Sequence, residues 1–247
     1  MVFFRHKKIN FISILLFSLC IYGQDSNDLF DDSSAESIQE IKVRQIRPSG
    51  KITGHLPPSS EVQRLSQIFF QIIKIFPKNF IKESGIRYVT FLSKPRFKRV
   101  HFAGLALKGN HTIYLSTTFK AKTVYHEIYH LFDPSRKNED WCSLNAHNFI
   151  YTGSKYYSEN LSKTQSRKVR ENLRRMTFEE DFVSRYAMSN EREDRAETFA
   201  YMMVEGQNFL RRTQRSHVLK KKMDYIIKIT TENNTLSASF WKRHLGK

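Results

Sequence analysis

The spacing of apolar residues changes character several times along the chain. Residues 9–22 form a continuous apolar run behind Arg5, Lys7 and Lys8, closing near Gly23. At about fourteen residues the run falls short of the ~20 that a membrane span needs, so residues 1–23 read as a cleavable signal peptide. Residues 24–57 are polar and locally acidic (Asp25, Asp28, Asp31, Asp32, Glu36, Glu40), with few large groups to bury, and read as a flexible linker. After Pro57 and Pro58 the pattern turns helical. Val62, Leu65, Phe69, Ile72 and Ile73 recur at helix spacing up to Pro77, behind a capping-box pattern of Ser60 with Gln63.

Residues 86–92 and 100–107 are rich in β-branched, aromatic and aliphatic side chains and predict strands. Lys108, Gly109 and Asn110 give a turn signal, and residues 111–116 alternate as a strand should, so a hairpin precedes the next helix. The remainder is mostly helical: a polar, basic stretch over 162–180, an amphipathic helix over 191–205 and another helix over 210–229, with no internal repeat. The expected fold is α+β, one domain over 58–247 with a small mixed sheet, an antiparallel edge strand and a mostly helical C-terminal half.

Length and charge narrow this picture. A chain of 247 residues suits one core with a short appendage. The formal charge of +17 becomes 17 − 3 = +14 once Arg5, Lys7 and Lys8 are removed, so the excess belongs to the processed chain. It fits an anionic surface partner or an ordinary soluble basic surface, and no specific nucleic-acid motif accompanies it. With the signal gone no transmembrane span remains, and the expected location is secreted or periplasmic. Lipid anchoring through Cys20 is the lesser alternative, because Phe17, Ser18 and Leu19 lack the usual small residue beside it. Cys142 then has no partner for an intramolecular disulfide.

The candidate chemistry begins at His126, Glu127, Ile128, Tyr129 and His130, a His-Glu-x-x-His pattern. Pro134 forces Asp133 out of helical geometry and Thr117 and Thr118 offer caps, so the motif lies on a helix of about four turns. His126 and His130 then stand ~6 Å apart along one face, a separation that two imidazoles bridge around a zinc ion. Glu127 points about 100° away, outside the coordination shell but within reach of a water on the metal. Ala121, Val124, Tyr125, Ile128, Tyr129, Leu131 and Phe132 make the rest of the helix apolar. The helix is therefore buried, and its histidines need partners.

A catalytic zinc takes three protein ligands. Asp133 lies ~10 Å along the axis from His126 and cannot return with so short a side chain. The strongest candidate is Glu193, which shares a helical stripe with Glu197, Ala200 and Val204, while Arg195, Thr198 and Asp194 project outward. Glu191 and Glu197 remain alternatives. Glu197, one turn beyond Glu193, is placed to accept an N–H from a ligating imidazole.

Residues 182–190 (Phe-Val-Ser-Arg-Tyr-Ala-Met-Ser-Asn), with Glu193, Asp194, Arg195, Ala196 and Glu197, resemble zinc-binding metallopeptidases related to the anthrax lethal factor catalytic domain, which are glutamate-type zincins. Trp141, Leu144 and Asn145 with Phe149 and Tyr151 resemble a Trp-Leu-Asn-Pro and Phe-x-Tyr stretch in bacterial members, with Ala146 where proline is usual. The likeness covers about residues 113–203. It implies a zincin-like fold, one zinc held by His126, His130 and Glu193, Glu127 as general base, Tyr186 as an oxyanion donor, and a peptide or protein substrate. Departures are the longer separation of His130 from Glu193 and the lack of a toxin-delivery domain.

These readings combine as a zinc-dependent metalloendopeptidase using a metal-activated water, with residues 111–116 as the edge strand that holds the substrate. The main alternative is a non-catalytic zinc-containing module that engages an anionic polymer or membrane through Lys168, Arg170 and Arg174. A second keeps the hydrolysis but moves it to an amide of a cell-wall peptide.

Overall fold

The computed structural model describes residues 41–45, 50–133, 139–147, 149, 151–152 and 179–246, all within the compact unit Asp32–Lys247. The expected signal peptide 1–23, Cys20 and the basic residues 167–175 lie outside the described residues. Strands β1 (Lys42–Val43) and β2 (Ile52–His55) precede helices α1 (Ser59–Ile73) and α2 (Lys78–Ser84). Strands β3 (Tyr88–Phe97), β4 (Val100–His101), β5 (Gly104–Leu107) and β6 (Thr112–Ser116) follow, then α3 (Ala121–Phe132) and α4 (Glu139–Ser143). The C-terminal part is helical: α5 (Glu191–Glu205), α6 (Gln207–Thr213), α7 (His217–Glu232) and α8 (Ala238–Leu245). The architecture is α+β, as the sequence predicts.

β3 is the spine of the sheet. Its N-terminal half lies between β1 and β6, both parallel to it, and β5 closes one side antiparallel to β6, in the order β1-β3-β6-β5. Val89, Thr90, Phe91 and Leu92 are all buried, as a strand covered on both faces requires. Beyond Ser93 the strand leaves this layer and pairs antiparallel with β2 and β4. The edge beside the motif helix is therefore β5. Residues 111–116, expected there, form an interior strand, because the hairpin folds β5 outward across β6.

The linker expectation fails at its C-terminal end. Ile41 is buried, β1 pairs with β3 at Tyr88 and Val89, and β2 pairs with β3 near Phe97, so residues 41–55 contribute to the sheet. Strands this short carry too little alternation to stand out in a polar context. The capping-box pattern is also unused. α1 starts two residues earlier, with Pro58 at the N-cap and no side-chain cap, and α2 was not anticipated.

α3 packs against α5, β5, α1 and α2. An aromatic seam joins these elements: Phe76 to Phe80 at 4.6 Å, Phe80 to Phe132 at 4.9 Å and Tyr129 to Phe199 at 4.8 Å between ring centroids. All of these rings are buried. Such pairs add about 0.5–1.5 kcal/mol each beyond their area burial, and they fix α3 against α5 at the level of Phe199.

The outward placement of Asp194, Arg195 and Thr198 is overturned, since all three are fully buried. Val204, expected in the apolar stripe, is 44% exposed instead. α4, the segment around Tyr151, and α7 cover the far side of α5, so polar groups there need internal partners. Arg195 donates to Asp133 Oδ2 from Nε at 3.0 Å and Nη2 at 2.8 Å. Asp194 Oδ2 accepts from Trp141 Nε1 at 3.0 Å and Tyr151 Oη at 2.7 Å, and pairs with Lys222 Nζ at 2.9 Å. Asn145 Nδ2 donates to the Tyr151 hydroxyl at 3.0 Å. The Trp and Tyr of the 141–151 segment thus converge on one carboxylate next to Glu193, with Asn145 bonded to the Tyr hydroxyl. Burial raises the Asp194 pKa and lowers that of Lys222, each opposed by the partner's charge.

Removing one member of such a pair leaves the other charge buried. Lys222→Met is expected to destabilise the fold by about 3–5 kcal/mol in urea unfolding, and Lys222→Met with Asp194→Leu to recover much of that loss.

Candidate metal centre

α3 begins after extended Lys120 and ends at Asp133, which leaves helical geometry as its carboxylate turns to Arg195. On its buried face His126 and His130 bring their Nε2 atoms to 2.9 Å. α5 begins at Asn190, whose side chain accepts from the amides of Arg192 and Glu193, both at 3.1 Å. This cap sets Glu193 in the first turn facing α3. Its Oε2 lies 3.1 Å from Nε2 of His126 and 3.1 Å from Nε2 of His130. Glu191 and Glu197 do not enter this triangle.

In their ligating forms each of these three atoms carries a lone pair able to bind a cation. They lie within 4.8 Å of one another and form a possible metal-holding group. A tetrahedral zinc with bonds of ~2.0–2.1 Å sets its ligand atoms about 3.3 Å apart, close to the separations seen. The residues therefore fit zinc.

Glu197 stands behind the histidines. Its Oε1 lies 3.0 Å from His126 Nδ1, close but poorly aligned for a hydrogen bond. Its Oε2 accepts from Ser184 Oγ at 2.6 Å, and Lys122 Nζ approaches both oxygens at 3.1 and 3.2 Å. Burial pushes the Glu197 pKa up, yet His126, Ser184 and Lys122 outweigh it and lower it to about 2. For His126, burial lowers the pKa, but Glu193, Glu197 and Glu127 together raise it to about 10. Burial likewise opposes ionisation of Glu193, and the two histidines hold its pKa well below the carboxylate range.

Glu127 is buried beside β5, where its Oε2 accepts the Ala106 amide at 2.7 Å. Desolvation, the largest influence, raises its pKa, opposed by His126 and His130. Gly104 permits this approach. A Cβ there would fall 2.6 Å from Glu127 Cγ and 2.6 Å from Thr123 Cγ2. The Tyr186 ring lies 5.9 Å from that of His126, and its hydroxyl hydrogen-bonds Glu193. Burial first, then Glu193, raises its pKa far above the usual phenol value. All six residues singled out from the sequence, His126, Glu127, His130, Tyr186, Glu193 and Glu197, are thus brought together.

Residues 103–239 match the family model described as putative zinc-binding metallo-peptidase, more than half of the chain. The chain belongs to this zinc-binding metallopeptidase family. No curated protein and no solved structure matches it. The matched span begins just before β5 and takes in the edge strand, both metal-facing helices and the 141–151 segment.

Three groups of this metallopeptidase site escaped the sequence reading: Lys122, Ser184 and the β5 backbone at Gly104 and Ala106. Lys122 was legible in part, one turn before His126 on the same face. A lone glycine in a strand pattern is also a known sign of close backbone approach.

The surrounding carboxylates favour the protonated form of His126 in the metal-free site, a proton that an incoming zinc ion would displace. Apparent zinc affinity is expected to rise about tenfold per pH unit between pH 6.5 and 8.5, below the raised pKa of about 10. Chelator competition across that range, with calorimetry in buffers of different ionisation enthalpy, would reveal the released proton. A flat profile would contradict the charged His126.

Proposed function

We propose that the chain is a zinc-dependent metalloendopeptidase with His126, His130 and Glu193 holding one zinc ion. The observation that carries this reading is the convergence of those three ligand atoms within 4.8 Å, beside a buried Glu127 and the Tyr186 hydroxyl. Zinc, when bound, supplies a Lewis acid that polarises a carbonyl and makes water nucleophilic near neutral pH. Glu127, with Oε2 held by Ala106, uses Oε1 to take a proton from the attacking water and to deliver it to the departing amine. The raised pKa of Glu127 suits both transfers. Tyr186 keeps its proton at any physiological pH and donates it in a hydrogen bond to the carbonyl oxygen as charge develops there, a contribution of about 3 kcal/mol.

β5 takes the substrate-holding role first given to residues 111–116. Its outer edge faces away from β6 and runs beside α3, so an extended peptide is positioned by strand addition. Tyr186, seven residues before Glu193, supports kinship with the lethal factor catalytic domain. Residues 9–22 behind their basic start support export of the chain.

A peptide library with the purified protein, together with zinc analysis, tests this reading. Glu127→Gln is expected to retain one zinc per chain while turnover falls at least 10³-fold. Glu193→Gln is expected to lose zinc, whereas Glu191→Gln keeps it. Gly104→Ala, which forces Glu127 or β5 to move, is expected to retain zinc and lose most of its turnover. Full zinc occupancy with no cleavage of any peptide by the unaltered chain would reject the proposal.

A further inference from the structure

The hairpin formed by β3 and β4 takes no part in the metal centre. β3 ends at Phe97 and β4 begins at Val100, and these two residues pair across the hairpin. The turn between them is Lys98 and Arg99, with φ of 47° and 73°. A two-residue turn with both φ values positive normally takes Asn-Gly, because side chains at such positions are strained. Two long cations therefore hold the tip at a conformational cost.

Register divides this small antiparallel patch into two faces. Arg96 lies opposite Thr53 on β2 and His101 on β4, with Arg96 Nε 3.0 Å from His101 Nε2. Phe97 lies opposite Ile52 and Val100 on the alternate face. Val100 is 44% exposed, one of the few large apolar side chains so placed among the described residues. Lys94, Arg96, Lys98 and Arg99 are all exposed, and among the described residues none has a carboxylate partner. The sequence contains no Asp or Glu between Glu83 and Glu127. The hairpin thus combines a dense cationic cluster with an apolar edge at its tip.

We propose that this hairpin docks on an anionic lipid surface, with Lys98 and Arg99 at the headgroups and Val100 and Phe97 entering the interface. Cations draw such a segment to acidic headgroups, and an apolar side chain beside them adds affinity only where it can leave water. That second feature favours lipid over a soluble polyanion, which charge alone would capture and which gives Val100 no apolar environment. The docking is independent of the peptidase reading.

The test uses the full chain carrying Val100→Trp, because the native Trp141 and Trp241 are buried and sheltered from quenchers. Vesicles of phosphatidylcholine with about one third phosphatidylglycerol, brominated in their acyl chains, report whether the hairpin tip enters the interface. Strong quenching of the added tryptophan is expected on these vesicles and none on phosphatidylcholine alone. Adding Lys98→Gln and Arg99→Gln should lower vesicle affinity of the tip about tenfold or more, whereas Lys220→Gln with Lys221→Gln on α7 should leave the quenching unchanged. Sedimentation with the anionic vesicles without quenching would overturn the proposal, assigning the contact to general charge or to residues 9–22. Absence of binding, or quenching that survives loss of both turn cations, would overturn it as well.

Discussion

Everything at the candidate metal centre depends on α5 presenting a carboxylate to two imidazoles inside a largely buried interface. Three glutamates, 127, 193 and 197, are buried or nearly so within a short distance of one another. Carboxylates in such a place repel unless each is matched. The fold matches them individually: Ala106 N–H for Glu127, the imidazoles for Glu193, and Lys122 with Ser184 for Glu197. A bound divalent cation together with Lys122 would balance the charge of the three carboxylates.

The same requirement explains the far side of α5. A helix with ligands on one face has to be held rigidly from the other, and apolar packing alone leaves rotation about its axis weakly defined. Asp194 and Arg195, immediately after Glu193, are tied by directional contacts to Trp141, Tyr151, Lys222 and Asp133. These contacts specify the rotation. Phe199, packed on Tyr129 below, specifies the depth.

The histidine pair of the candidate site was legible because its geometry is local. Two histidines four apart on a helix share a face whatever the rest of the chain does, whereas Glu193 was singled out by its place in an apolar stripe and Tyr186 by the family resemblance alone. Failures arose where placement depends on distant neighbours. A helical projection treats polar residues as solvent-facing, so it misplaced Asp194, Arg195 and Thr198 on a helix covered on several sides. Which strand lies at the edge depends on how the hairpin folds over, which alternation cannot tell, and β1 and β2 are too short to carry a pattern. α2 was legible in principle, since Pro77 and Gly85, the latter at φ 66°, frame it as start and stop. One helix was expected over residues 210–229; α6 and α7 divide it because Ser216 caps a new start by accepting from Leu219 N.

The anchors on either side of residues 153–178 have a consequence for how this chain can vary. Before that segment, Tyr151 is bonded to Asp194 and Thr152 donates its amide to Met188 at 3.0 Å. After it, the Asp181 carboxylate accepts from Ser216 and its carbonyl from Lys222. Both ends are therefore fixed to the body that carries Glu193. A change in the number of residues between these two anchored ends would therefore leave Glu193 and the two histidines in the same places.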